Sequence, residues 1–142
     1  MKKRVGIIIL VLLLLILAGG GAAFYYYYSK YINIDAIYPG MTIQGMSVGG
    51  MTQEEAKAKV QEYVDKVSQE TVTLQVKKKE STFALSDIGL KCTNMDVVEK
   101  AYDFGKTGNV FKRVIEVRKL EKEGMDFPLT FSVDKAETRK VV

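Results

Sequence analysis

The sequence predicts an α+β domain, a small antiparallel sheet with about three helices, preceded by one N-terminal transmembrane helix. Three observations carry this expectation. Val5 to Ser29 holds no charged residue and opens on a run of Ile, Leu and Val. Beyond it, segments with apolar residues at every second position, the period of a strand, interleave with segments at helical spacing. Turn signals such as Pro39-Gly40 and Gly49-Gly50 separate them. A chain of 142 residues leaves room for one modest core after the apolar run. The expected organisation is a basic cytoplasmic tip at 1–4, a transmembrane helix at 5–28, a linker at 29–37 and an α+β domain at 38–142, cut short in its last helix.

Val5 to Phe24 is 20 residues, which as a helix rises roughly 30 Å, about the depth of a bilayer's hydrocarbon. Lys2, Lys3 and Arg4 stand just before it. Positive charge favours the cytoplasmic side, so everything after Lys30 is expected outside the cell, as a single-pass protein of the cell membrane. Phe24 and Tyr25 to Tyr28 supply rings for the outer interface. The lipid bilayer is thus an expected partner, through residues 5–28. A cleaved signal peptide is the rival, with small residues at Gly20 and Ala22, and it exports the domain equally.

In the exported part, Met41, Ile43, Met46 and Val48 straddle Gly45 as a short strand or bulged pair. Thr52 and Glu55 form a capping box for a helix that buries Ala56, Val60, Tyr63, Val64 and Val67. Thr71 to Lys79 alternates as a half-buried strand, turns at Glu80-Ser81 and returns through Phe83 and Leu85. A second helix starts at Thr93 or Asn94, buries Val97, Val98, Ala101 and Tyr102, and stops at Gly105. A third begins near Asn109, carries Val110, Phe111, Val114 and Ile115 on its inner side, and stops at Gly124. Met125 to Val133 alternates as one strand, and Asp134 with Glu137 caps a final short helix.

Composition excludes several chemistries. Histidine is absent, which removes imidazole-activated nucleophiles and imidazole metal ligands. One cysteine forms no internal disulfide. The net charge of +4 is mostly the N-terminal tip, so no nucleic-acid surface is expected. Lys106-Thr107-Gly108 and Ser132-Val133-Asp134-Lys135 match two motifs of penicillin-binding enzymes, but in the wrong order and without the intervening Ser-x-Asn. Cys92 has no base to activate it and reads as a small hydrophobe. Asp96, Glu99 and Asp103 share a helix face without a calcium loop. The turn at Gly49-Gly50 leads into a helix whose dipole Glu54 and Glu55 already complement, so no anion site is read there. Lys77 to Lys79 reads as a solvated strand end. Among 17 carboxylates no pair stands out as a glycosidase dyad. No catalytic residue, metal ligand or cofactor is expected, and the protein is not expected to be an enzyme.

The run Tyr38-Pro39-Gly40-Met41-Thr42-Ile43-Gln44-Gly45-Met46-Ser47-Val48-Gly49-Gly50-Met51-Thr52-Gln53-Glu54-Glu55-Ala56 resembles the opening of the peptidoglycan-binding domain of YoaR-like and VanW-like proteins. The later run from Ala101 through Tyr102-Asp103-Phe104-Gly105-Lys106-Thr107-Gly108-Asn109 to Arg113 is similar to that domain's second signature. The resemblance covers Tyr38 to Val142. It implies a non-catalytic module that contacts peptidoglycan or another cell-wall polymer, of the kind found between a membrane helix and a downstream VanW region or L,D-transpeptidase domain. The turn after the second helix suits such a ligand. Tyr102 and Phe104 carry rings that stack on sugars, Lys106 and Arg113 carry charge for stem-peptide carboxylates, and Asn109 carries an amide. These five are the candidate ligand-binding residues. The alternative is a spacer or protein-interaction module that positions a downstream enzyme.

Overall fold

The computed structural model describes residues 2–141; Met1 of the basic tip and Val142 at the end of the expected domain lie outside them. Helix α1 (Lys2–Tyr31) is one unbroken rod, with Gly19 to Gly21 inside it and Tyr31 its buried residue. It runs three residues into the expected linker. Its apolar window has a mean hydropathy of 2.9, and among the described residues it is the one helix long and apolar enough to cross a membrane.

The chain then makes a tight hairpin of β1 (Met41–Ile43) and β2 (Met46–Ser47), with Ile43 opposite Met46. Gln44 and Gly45 both adopt positive φ, as the right-handed twist of a two-residue loop demands. Helix α2 (Gln53–Gln69) starts at the expected capping box: Thr52 Oγ1 accepts from the Glu55 amide, and Glu55 accepts from the Thr52 amide. Ala56, Val60 and Val64 form its buried stripe.

Strands β3 (Thr71–Val76) and β4 (Lys79–Ala84) pair antiparallel over six positions. The expected turn at Glu80-Ser81 is instead Lys77-Lys78, with Lys77 in the left-handed region; Glu80 and Ser81 pair with Gln75 and Leu74. The expected half-burial also fails: every β3 residue is exposed, and Phe83 on β4 is the hairpin's buried side chain. The hairpin touches the rest of the fold at its base, where a 3-10 turn, Leu85–Ile88, follows β4.

After β5 (Lys91–Cys92) comes α3 (Val97–Asp103), which begins later than expected because the Asn94 side chain is occupied elsewhere. Asn94 Oδ1 accepts from the Thr130 amide at 2.7 Å, and its Nδ2 donates to the Pro128 carbonyl at 2.9 Å. The same clamp splits the strand expected over 125–133 into β6 (Met125–Phe127) and β7 (Phe131–Ser132). Strand β6 pairs parallel to β1, and β7 antiparallel to β5.

Between α3 and β6, α4 (Val110–Glu123) starts at Asn109, whose side chain accepts from the Lys112 amide, and ends at Gly124. The inner face expected of α4 is corrected in part, since Val114 does pack against the core. Val117 and Leu120 are buried, whereas Val110, Phe111 and Ile115 are exposed, Phe111 by 82%. Helix α5 (Lys135–Val141) closes the described chain, with Asp134 Oδ1 accepting from the Ala136 amide; Glu137 pairs with Lys140. The architecture is the expected α+β class. Ile37, Tyr38, Met41, Ile43 and Val48 form one apolar core with α2, α3 and α4.

Candidate functional site

The end of α3, the turn 104–109 and the start of α4 meet the segment 32–38 that leaves α1. Glycine makes the turn possible. Gly105 has φ of +72°, and a Cβ there would stand 2.8 Å from Val117 and 3.1 Å from the Tyr38 ring. The backbone can therefore reverse against the core only with no side chain at that position.

Three of the five sequence-predicted residues come together here. Lys106 Nζ lies 3.1 Å from the centroid of the Tyr102 ring, a cation–π contact. The Tyr102 hydroxyl donates to Asp35 Oδ1, and this bond raises the pKa of the phenol. The Lys106 ammonium is itself buried and finds no hydrogen-bond acceptor among the described residues. Burial pushes its pKa below the ordinary lysine value, while Asp35 and Asp103 pull it up.

Arg113 completes the group but faces inward. Its Nε donates to the Gly105 carbonyl at 3.0 Å and its Nη2 to the Ile32 carbonyl at 2.6 Å. Beside it the buried Tyr38 hydroxyl donates to the Tyr31 carbonyl. Burial raises the pKa of Tyr38, opposed by the Arg113 charge. Asn109 spends its side-chain oxygen on the helix cap. Phe104 turns to the other side, lining a hollow of about 240 Å³ with Glu116, Lys119, Leu120 and Met125.

Asp35 and Tyr38 belong to this arrangement and were not among the predicted site residues. Asp35 lies in a segment without periodicity, so nothing local to it pointed to Tyr102, 67 positions away. Cys92 is half-buried, with its thiol toward Asn94 Oδ1 at 3.6 Å. Among the described residues, no three His, Cys, Asp or Glu side chains group as metal ligands. A hollow of about 760 Å³ lies at the β3–β4 hairpin between Leu74, Val76, Phe83 and Val141, away from all five predicted residues.

The arrangement sets a ring, a desolvated amine and a carboxylate together, with no nucleophile and base paired among them. No curated protein and no solved structure matches the chain. Residues 81–142, 62 of the 142, match the model of the family described as "Putative peptidoglycan binding domain", a stretch that contains all five predicted residues and leaves out Tyr38 to Ala56.

Proposed function

We propose that the chain is a membrane-tethered, non-catalytic module that retains cell-wall peptidoglycan, of the VanW-like or L,D-transpeptidase-associated kind. The carrying observation is that the peptidoglycan-binding match contains the turn where Tyr102 and Lys106 stack. In this reading α1 spans the bilayer with its N-terminus cytoplasmic, and the domain stands outside. When the Lys106 ammonium swings off the Tyr102 ring, the ring packs on a sugar face and the ammonium, a donor without an acceptor among the described residues, meets a stem-peptide carboxylate. Asn109 and Arg113 brace the turn that presents them, through the helix cap and the Gly105 carbonyl, and Phe104 lines a hollow on its other side. Modest affinity suffices, because the anchor holds the domain near the wall and raises the effective concentration of its sites.

One observation favours a spacer instead: Arg113 and Tyr38 bond to the chain leaving α1, which suits a rigid stand-off for a partner. Sedimentation of the full chain in detergent with purified sacculi separates the two. The peptidoglycan reading expects the chain in the pellet, with Tyr102→Ala and Lys106→Ala each lowering the bound fraction about fivefold to tenfold. A chain that stays in the supernatant selects the spacer. Soluble fragments released from the sacculi would mean a hydrolase.

A further inference from the structure

We infer that the exposed face of α4 is a docking surface for an anionic lipid headgroup layer, laid down beside the protein's own anchor. The inference rests on the reading of α1 as a membrane span. Phe111, Ile115, Arg118 and Lys122 follow one another at steps of four, three and four, which places them along a single line of the helix. The line lies opposite Arg113, Val117 and Leu120, which face the core. Phe111 is 82% and Ile115 66% exposed. Lys112 and Lys119 flank the stripe and pair with Glu116 and Glu123, whereas no ion pair engages Arg118 or Lys122 among the described residues. Two large apolar side chains and two free cations along one line form the pattern of a helix lying in a bilayer interface.

Position identifies the occupant. Glu121 receives the Tyr31 hydroxyl at 3.4 Å and pairs with Lys30 at 3.6 Å, and Arg113 holds the Ile32 carbonyl. Both halves of α4 are thus bound to the last turn of α1 and its exit. If Val5 to Phe24 fill the hydrocarbon, Tyr31 stands only roughly 10 Å beyond it, within or just above the headgroups. Helix α4 therefore sits at headgroup level with no slack chain between it and the span. Phe111 and Ile115 enter the acyl boundary there, and Arg118 and Lys122 reach lipid phosphates. A second copy is disfavoured, because two such stripes would bring their cations together.

The test uses the full chain in nanodiscs, carrying Cys92→Ala and one environment-sensitive dye at either Leu10→Cys or Ile115→Cys. With phosphatidylglycerol present, the dye at 115 should shift to the blue and be quenched by nitroxide-bearing lipid. In phosphatidylcholine alone it should report water. Arg118→Gln and Lys122→Gln should weaken the docked fraction roughly fivefold each. Water exposure at 115 in both lipids, equal burial in both, or burial only when peptidoglycan fragments or an acidic protein are added overturns the docking. A buried dye at 10 with a wet dye at 115 rejects the docking alone; a wet dye at 10 rejects the span and the docking with it.

Discussion

The guanidinium of Arg113 makes two bonds, both to backbone carbonyls, one in the turn after α3 and one in the chain leaving α1. A fork of fixed N–H groups can serve two acceptors that a flexible ammonium cannot reach together. Arg113→Ala should therefore lower stability by about 1.5–3 kcal/mol, and Arg113→Lys should restore less than half of that, read as the urea midpoint in detergent micelles. Tyr102→Phe, which loses the bond to the exposed Asp35, should cost far less in the same assay. The sequence showed that Arg113 brings a charge to this turn. That the charge is turned toward Ile32, 81 positions away, depends on how α4 is rotated, and no local pattern encodes that.

Helix α2 was legible because its signals are local. The box between Thr52 and Glu55 lies within four residues, and the stripe of Ala56, Val60 and Val64 has one clear period. Thr52→Ala should cost about 1 kcal/mol, seen as a lower urea midpoint with an unchanged slope. Helix α4 also has readable ends, at Asn109 and Gly124, but of its expected inner face only Val114 meets the core. Val110, Phe111, Val114 and Ile115 are the more apolar set, and composition alone would bury them. The core takes Val117 and Leu120 because Gly105 lets the turn close against Val117 and Arg113 pins the same side. The β3–β4 hairpin shows the same limit. Its two strands are legible in the sequence, while their burial is not, and the turn sits at Lys77-Lys78, where neither residue is a usual turn former, because six paired positions fix the register.

The fold closes where β6, 84 positions after its partners on β1, joins it in parallel. Asp126 secures that closure: its Oδ1 accepts from Thr42 Oγ1 at 2.6 Å and from the Gly45 amide at 2.8 Å. The Thr42 bond, then the Gly45 bond, hold the Asp126 carboxyl below the ordinary aspartate value. A carboxyl whose pKa is lower folded than unfolded contributes stability above its unfolded pKa and loses it as pH falls through the folded one. Acid titration of the unfolding midpoint should show a loss that begins as pH falls into the ordinary aspartate range and continues below it, and Asp126→Asn should flatten that limb.

The sequence by itself determined the apolar rod, the α+β class, the caps and the glycine stops, because each depends on residues within a turn or two of one another. Tertiary structure decided which face of α4 meets the core, that Pro128 to Thr130 interrupts a strand, and that Tyr102 finds Asp35 while Arg113 holds the exit of α1. Those outcomes rest on contacts between segments 34 to 81 positions apart, whose cost and gain are set only once the whole core has closed.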